Sequence, residues 1–578
     1  MYNQKLAKIF DTFGDIFEIH GQANDRFKTR AYRQASLLLQ NLPKDISEYI
    51  DLPSEKFTEE IPGFGPAIKA KTIEFIKTNK IEEFENLKQT IPEGVLKMLD
   101  LKNVGPKKVK KFYQELQIET IEELKAAILA GKIAELEGMG KKSADKILES
   151  IENLEKYSLR TPLGLIYFSL KEIKAALLEC EFVKNVEIAG SARRMQETIG
   201  DVDVLVTGET NKHREIIEYY KKLPFITQIE AEGETKVTAY LTSGPQIDFR
   251  VVANDEFGAA KQYFSGNQSH NVKLRTIAKN KGYKINEYGI YEIETNKKVG
   301  GAEETDMYQI LGLQYIPVEL RQGNNEIDIA AEFKIPELLK LEDIKGDLHS
   351  HSTYSDGNNS IEEMALEAIK LGYEYIAITD HSDNLKVAGG MSLDSLKAKK
   401  AEIEELNKKL GIRILYGTEV DILNDGSLDY DDETLAEFDI VIASVHTNLN
   451  KNTTERIIAA MNNPFVHIIG HPTTRLINKR EPADLDFKKI FQAAKDTKTI
   501  LEINAQPTRL DLPDKYIREG KESYGLQFII NTDAHNVSGL KLMELGVGYA
   551  KRGWLTKEDV INTLGLNDFL KKLKQKSK

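Results

Sequence analysis

Over about the first 155 residues, apolar positions recur at helix spacing, broken at short Gly-Pro turns and with few β-branched runs, which predicts an all-α region. Between residue 183 and about residue 318 the pattern shortens into β-rich runs at 186–189, 202–206, 236–241 and 246–252. A mixed α/β domain is therefore expected after the helices. Residues 319–345, which contain Arg321-Gln-Gly-Asn-Asn and Pro336, follow neither period and read as a linker. After Gly346, apolar strand-like runs alternate with helical stretches. That alternation predicts a parallel sheet or barrel with its active residues at the C-terminal ends of strands.

A chain of 578 residues is too long for one core and should hold three or four domains at roughly 100–200 residues each. With 41% hydrophobic and 29% charged residues, folded domains joined by short linkers are expected. The longest apolar runs, such as 440–445, fall short of the roughly 20 residues that a membrane span needs, and MYNQKLAKIF lacks a signal-peptide core. A cytoplasmic protein without membrane contact is expected. The single cysteine, Cys180, excludes an intramolecular disulfide, suits a reducing compartment and is expected to serve helix packing. A net charge of −12 argues against binding nucleic acid through a general basic surface. Attraction to a polyanion then has to come from local contacts, backbone amides or bound metals.

Seven of the ten histidines lie between His349 and His535, and almost all follow an apolar run. Asp-Leu-His349-Ser-His351 places two imidazoles on one face of an extended strand end. Asp380-His381, Glu419, Val-His446, Gly-His471-Pro and Thr-Asp533-Ala-His535 end successive strand-like runs, so six strand ends point nitrogen or oxygen ligands at one rim. His467 sits inside its apolar run and reads as a core residue. Imidazole with carboxylate and no thiolate suits zinc, manganese or iron, and such a centre activates water and clamps a phosphate. In order, these motifs resemble the PHP phosphoesterase family over residues 346–560. The resemblance implies one ion on His349, His351, Glu419 and Asp533, a second on Asp356, His381 and His471, and a third on Glu419, His446 and His535. Some family members have histidine at position 356, and Asp356 would favour a harder ion such as manganese.

In 186–206, a Gly190-Ser191 turn followed by Arg194 and then Gly200-Asp201-Val-Asp203 combines a phosphate-binding turn with two carboxylates on one strand face. Asp248, on a later alternating strand, can join them, and three carboxylates around two Mg2+ or Mn2+ ions are what nucleotidyl transfer requires. Tyr263-Phe264-Ser-Gly266, then Asn271 and Arg275, resemble the thumb of family X DNA polymerases. That resemblance implies that Tyr263 and Phe264 pack against the incoming sugar, Asn271 reads a base edge and Arg275 contacts the template. Three Gly-containing turns, Ile61-Pro-Gly-Phe-Gly-Pro, Leu101-Lys-Asn-Val-Gly-Pro and Leu136-Glu-Gly-Met-Gly-Lys, each run straight into a helix and look like helix-hairpin-helix elements. Their glycines bring backbone amides close to DNA phosphates, turn carbonyls can share K+ or Na+, and Lys107, Lys108, Lys110 and Lys111 add local positive charge. Residues Phe27-Lys28-Thr-Arg-Ala-Tyr32-Arg33 and the first turn resemble the 5'-phosphate-binding domain of the same polymerases. Lys71 takes the place of its Schiff-base lysine, while a neighbouring lysine of some members is Ala67 here.

The expectation is a family X DNA polymerase fused to a PHP nuclease, filling short gaps in DNA repair from dNTPs and trimming 3' ends, with AP endonuclease chemistry open to the same site. The expected domains are 1–85 (helical, lyase-like), 86–155 (fingers-like), 156–260 (nucleotidyltransferase palm), 261–318 (thumb), a linker at 319–345 and a distorted (β/α)7 PHP barrel at 346–578. The expected partners are gapped or nicked DNA and dNTPs, with the chain a monomer. The rival readings are a nucleotidyltransferase fused to a small-molecule phosphatase, like the PHP members that act on histidinol phosphate, and a non-catalytic DNA-end scaffold.

Overall fold

The computed structural model describes residues 2–22, 25–41, 46–49, 57, 61, 64–78, 80–101, 104–157, 160–385, 388–574 and 576. The chain forms two compact units, Met1–Ser158 and Leu159–Lys578.

The first unit is helical, as its apolar period predicts. Tyr2–His20 packs against Asp25–Asn41 through an aromatic core in which Phe13 stacks on Tyr32 at 4.4 Å between ring centroids. A second core gathers helices Pro106–Leu116, Ile121–Leu129 and Lys141–Tyr157 around Val109, Phe112, Leu124 and Ile147. Pro106 at the first helical position supplies a preset φ where no amide is needed, and Thr120 with Glu123 forms a reciprocal cap at the start of the next helix.

The second unit opens with helix Leu163–Leu178, which packs with a five-stranded sheet of β1 (Val183–Ile188), β2 (Asp201–Gly208), β3 (Ile226–Glu232), β4 (Lys236–Leu241) and β5 (Gln246–Val252), in the order β1-β2-β5-β4-β3. Strands β2 and β5 are parallel, with Asp203 in register with Asp248; the other pairings are antiparallel. Cys180 is a buried free thiol in this core, just past the helix end. Helices Phe257–Ser265 and Gln268–Asn280 and a three-stranded sheet, β6 (Tyr283–Asn286), β7 (Gly289–Glu292) and β8 (Lys298–Gly300), follow. The boundary expected at 260/261 thus falls inside a helix.

Residues 319–345 are not an open linker. Arg321 is wholly buried, its Nη1 2.7 Å from Glu304 Oε1 and its Nε donating to Ile316 O at 3.0 Å. The same carboxylate takes Arg193 through both oxygens at 2.7 and 2.8 Å. Helix Glu326–Ala331 follows; Glu326 pairs with His270 Nδ1 at 2.8 Å, and Ile327, Ala330 and Ile335 share a core with Trp554. The attachments to Glu304, His270 and Trp554 are long-range, which is why local periodicity could not register them.

Seven parallel strands then pair in sequence order: β9 (Gly346–Asp347), β10 (Tyr375–Ile378), β11 (Arg413–Asp421), β12 (Ile440–Ser444), β13 (Ile468–Ile469), β14 (Ile500–Asn504) and β15 (Phe528–Asn531). Most are rich in apolar residues because both faces are covered, and β12, β14 and β15 are buried at every position. The cylinder closes at its C-terminal rim, where Ser350 bridges Ala534 and the His351 amide donates to Ala534 O at 2.8 Å. Among the described residues no helix is long and apolar enough to cross a membrane.

Replacing Glu304 with alanine leaves the buried Arg321 and the half-buried Arg193 without their shared carboxylate, for an expected loss of about 3–5 kcal/mol. Chemical denaturation of the full chain checks this. An unchanged midpoint would show that the docked segment is held by apolar packing alone.

Candidate metal centres and nucleic-acid interface

The barrel rim collects every ligand candidate that the sequence placed there. His349 and His351 follow β9, His381 follows β10, Glu419 ends its run inside β11, His446 follows β12, His471 follows β13, and Asp533 and His535 follow β15. His471 and Asp533 hold left-handed backbone angles (φ 26° and 52°), a strain that non-glycine residues keep where the surrounding structure fixes a functional geometry.

Glu419 is the hub. It is fully buried, and its Oε2 lies 3.4 Å from His349 Nε2, 3.7 Å from His351 Nε2 and 2.9 Å from His381 Nδ1. Its Oε1 lies 3.4 Å from His446 Nε2 and 3.0 Å from His471 Nε2. Asp533 Oδ1 approaches His351 Nε2 at 3.3 Å and His349 Nε2 at 3.8 Å. Asp356 Oδ2 lies 3.3 Å from His535 Nε2 and 3.6 Å from His381 Nε2.

These distances bring His349, His351 and Asp533 together beside Glu419; His381 and His535 together with Asp356; and His381, His446 and His471 onto the two oxygens of Glu419. His471 thus lies with Glu419 and His446 rather than with Asp356, and His535 with Asp356 and His381 rather than with Glu419 and His446. The reason is topological: His471 leaves β13, the neighbour of the strand carrying His446, while His535 leaves β15 next to the closing β9 side where Asp356 lies. The donors suit cations by a direct test. His349 Nε2, both nitrogens of His351, His381 Nδ1 and His471 Nδ1 are buried without a hydrogen-bond partner among the described residues, and ligand atoms of His351, Asp356, His381 and His535 all fall within 4.8 Å of one another.

Outer partners aim the imidazoles. Glu502 accepts from His349 Nδ1 at 2.7 Å, Asp421 from His446 Nδ1 at 2.5 Å and the Asp533 carbonyl from His535 Nδ1 at 2.9 Å, so each ring turns Nε2 inward. Asp380 receives the amide of Ser352 at 2.7 Å and the buried ammonium of Lys399 at 2.9 Å. Sequence reading passed over Glu502, Asp421 and Lys399. Glu502 was visible as a carboxylate inside the apolar run Ile500–Asn504, and Asp421 as the same-face neighbour of Glu419 on an alternating strand. Lys399 lies in the charge-rich helix Leu393–Lys409 and gave no signal.

In the five-stranded sheet, Asp201 and Asp203 face one side of β2, and Asp248 joins them from β5. Burial, with Asp201 and Asp248 beside it, pushes Asp203 up to about 6. Burial also works against charge on Asp248, but Lys236 and Thr238, each at 2.7 Å, hold it below the ordinary carboxylate range. Gly190 takes φ 68°, and a side chain there would meet Asp203 Oδ2 at 2.8 Å, so the turn and the carboxylate specify each other. Such a carboxylate group also fits divalent cations, which would relieve the repulsion that raises Asp203.

The DNA polymerase/3'-5' exonuclease PolX of Bacillus subtilis (strain 168) is 38% identical over 581 residues, covering 99% of this chain and all of that protein. The chain belongs to the bacterial family X DNA polymerases with a C-terminal PHP domain. Family models agree in register: a helix-hairpin-helix domain over 1–81, a SAM-like helix-hairpin-helix tandem over 95–153, a DNA polymerase beta thumb over 260–322 and a PHP domain over 347–506. A probable phosphatase of Thermoanaerobacter sp. (strain X514) is 32% identical over 248 residues, 40% of this chain and 96% of that protein. Rat DNA polymerase lambda is 23% identical over 341 residues, 54% of this chain and 55% of its own length.

Within this family X frame the remaining candidates vary in readiness. Tyr263 and Phe264 meet edge to face at 5.2 Å, with the Arg250 guanidinium over Phe264. Asn271 spends its amide on Gln262 and on Tyr263 O, both at 2.8 Å, and packs over Gly266, so base reading would require those bonds to open. Arg275 is exposed. Ser191 is half-buried and Gly200 exposed, and Arg194 donates to Ser265 O at 2.7 Å, tying the turn to the thumb helix. Lys71 pairs with Glu83 at 2.8 Å; burial disfavours its charge, but Glu83 and Tyr32 raise it above the ordinary lysine value. A Schiff-base lysine needs the free amine, so this pairing opposes the lyase role carried by the resemblance.

Of the hairpin turns, Pro62, Gly63, Lys102 and Asn103 lie outside the described residues. Gly65, Gly105 and Gly140 occupy matching places before their helices, and a Cβ on any of them would meet no atom of the described residues within 4 Å. None has a positive φ, so neither backbone strain nor internal packing demands glycine there. Open space in front of a repeated glycine is what close approach by an external chain requires.

Two outcomes are expected. Burial lowers the pKa of both His381 and His535, yet Glu419 and Asp356 raise the first to about 10, and Asp356 and Asp533 raise the second to about 9. Both therefore carry a proton at neutral pH that a cation must displace. Loading Mn2+ at pH 7 should release protons, and affinity should rise with pH, measured calorimetrically in buffers of different ionisation heat; Glu502→Gln should weaken it by about 10–100-fold. Gly105→Ala with Gly140→Ala should leave the melting temperature unchanged but weaken duplex binding about tenfold, near 1.4 kcal/mol, by fluorescence anisotropy.

Proposed function

We propose that this chain is a DNA-directed DNA polymerase that fills short gaps from dNTPs and removes nucleotides from 3' ends with its PHP barrel. The observation that carries the reading is that one compact unit, Leu159–Lys578, holds a rim of imidazoles and carboxylates with ligand atoms grouped within 4.8 Å of one another and, on a separate sheet, Asp203 in register with Asp248 and separated from Asp201 by Val202 alone. The oxygen-only cluster of Asp201, Asp203 and Asp248 suits Mg2+ or Mn2+, and the rim suits Mn2+, Zn2+ or iron. When bound, these cations supply nucleophile activation and charge neutralisation for phosphoryl transfer.

The chain's own residues do the positioning. Lys236 and Thr238 fix Asp248 opposite Asp203. Ser191 and Arg194 are assigned to the triphosphate, and Tyr263, Phe264, Asn271 and Arg275 to the nascent pair and template. At the rim, Glu502 and Asp421 hold the Nδ1 protons of His349 and His446, leaving Nε2 lone pairs for cations. The hairpin turns hold gapped or nicked DNA through backbone amides, with K+ or Na+ on turn carbonyls. The residue divisions given above serve as palm (156–260), thumb (261–318) and PHP domain (346–578). We read the chain as a monomeric cytoplasmic enzyme, in keeping with its single cysteine.

The test is extension and degradation of a gapped duplex with Mn2+ and dNTPs. Asp203→Ala should lose synthesis by about a hundredfold or more, at least the loss that a mere orienting partner causes, and keep degradation. His351→Ala should do the reverse. A wild type that cleaves only small phosphomonoesters would favour the phosphatase reading, and one that binds DNA ends without either activity would favour a scaffold.

A further inference from the structure

The metal rim occupies one end of the barrel; the other end holds a different kind of site. A cavity of about 160 Å3 opens where β13, β14 and β15 begin, closed on one side by the C-terminal helix Leu566–Leu573. Its lining includes Lys495, Lys498, Lys572 and Lys576 together with His467 and Thr499, and no carboxylate among the described residues. In a chain with net charge −12, four ammonium groups around an acid-free hollow are the reverse of the average surface.

Three features separate this hollow from a solvated lysine patch. First, Lys576 is half-buried and reaches inward, donating to Met461 O at 3.1 Å and to the hydroxyl of Thr499, both neutral oxygens. Burial alone pushes its pKa down to about 7, which is what an ammonium without a countercharge undergoes. Second, His467, nearly buried, accepts the Val441 amide on Nδ1 at 3.1 Å, so its neutral ring carries its proton on Nε2 as a further donor. Third, Lys495, Lys572 and Lys576 form no ion pair among the described residues, although carboxylates are plentiful on this chain. Lys495, Lys572 and Lys576 therefore converge on the hollow without an acceptor of matching charge among the described residues.

We propose that this cavity at the base of the barrel is a binding site for a small phosphate-type dianion. Ammonium groups on mobile stems, an imidazole N–H and a hydroxyl are the donor set that phosphate oxygens recognise, and the bound charge would compensate Lys576. The volume favours inorganic phosphate over a nucleotide, because pockets for ligands of nucleotide size usually run from about 300 Å3 upward. The site is independent of the two catalytic readings, since none of its residues belongs to either cluster.

The test is calorimetric titration of the full, Mn2+-loaded chain with inorganic phosphate, repeated with pyrophosphate, dAMP and a short single-stranded oligonucleotide. Wild type should show a phosphate-binding component that persists in His351→Ala. That component should weaken at least about tenfold in Lys495→Gln/Lys572→Gln, a change of about 1.4 kcal/mol, and recover in Lys495→Arg/Lys572→Arg. The glutamine variant should keep gap filling and 3'-end degradation in phosphate-free buffer, showing that it folds. Phosphate binding that ignores the lysine substitutions, or that disappears wholly in His351→Ala, would overturn the proposal. So would selective binding of dAMP or of the oligonucleotide with none of phosphate.

Discussion

One buried carboxylate organises the catalytic end of the barrel. Glu419 is withdrawn from water and faces five imidazoles on neighbouring strand ends, His349, His351, His381, His446 and His471. A charge placed there is tolerable only if it is compensated within the protein, and burial alone would push a glutamate toward its neutral form. The imidazoles reverse that, holding Glu419 well below the ordinary glutamate value. Because its two oxygens face different histidines, Glu419 also ties two donor sets together, and the rim can hold adjacent cations only while β11 keeps its register with β10 and β12.

That register reaches the polymerase site through the interface between sheet and barrel. Arg475, four residues beyond His471, pairs with Glu197 at 2.7 Å, on the loop that leads from the Gly190 turn to Asp201. Arg552 donates to Arg194 O at 2.7 Å while gripping Asp514 on the barrel side, and Glu544 accepts from both Tyr167 and Lys171. Glu197 and Arg194 flank the palm turn and Arg475 follows His471, so a displacement of that turn is felt at the barrel. Together with the docked segment around Arg321, these bonds make the two cation clusters parts of one body.

The sequence made the periodic and the clustered legible and hid the long-range. The runs at 236–241 and 246–252 reappear as β4 and β5 because each alternates between a buried and a half-exposed face. Asp356, in a loop, came only with the resemblance, whereas the rim histidines, Glu419 and Asp533 were visible because a histidine or carboxylate ending an apolar run is conspicuous in parallel strands. Their division among cations was not, since that depends on which strands are neighbours after the barrel closes; hence the exchange of His471 and His535. The segment 319–345 was misjudged for the same reason: Arg321 looks like a surface residue until Glu304 and Tyr308 enclose it. Lys71 looked reactive by position alone, and only the approach of Glu83 reveals a paired ammonium.

The acidity of the chain, which argued against DNA binding at the outset, follows from how it meets a polyanion. Phosphate can be held by amides that glycine-led turns leave open, at Gly65, Gly105 and Gly140, without a basic surface. Lys107, Lys110 and Lys111 in the helix after Gly105 concentrate positive charge where one turn presents itself, and they do not alter the sign of the whole. In the sheet the three carboxylates repel one another, as the raised Asp203 reflects, and would repel a phosphodiester, whereas at the rim the imidazoles hold the carboxylates charged. Bound cations would reverse the sign of that field, each ligand carboxylate then holding divalent charge beside the phosphate. Net charge is a poor guide to such an enzyme, because the few carboxylates that would hold cations decide the field at the substrate, whatever the sign of the remaining surface.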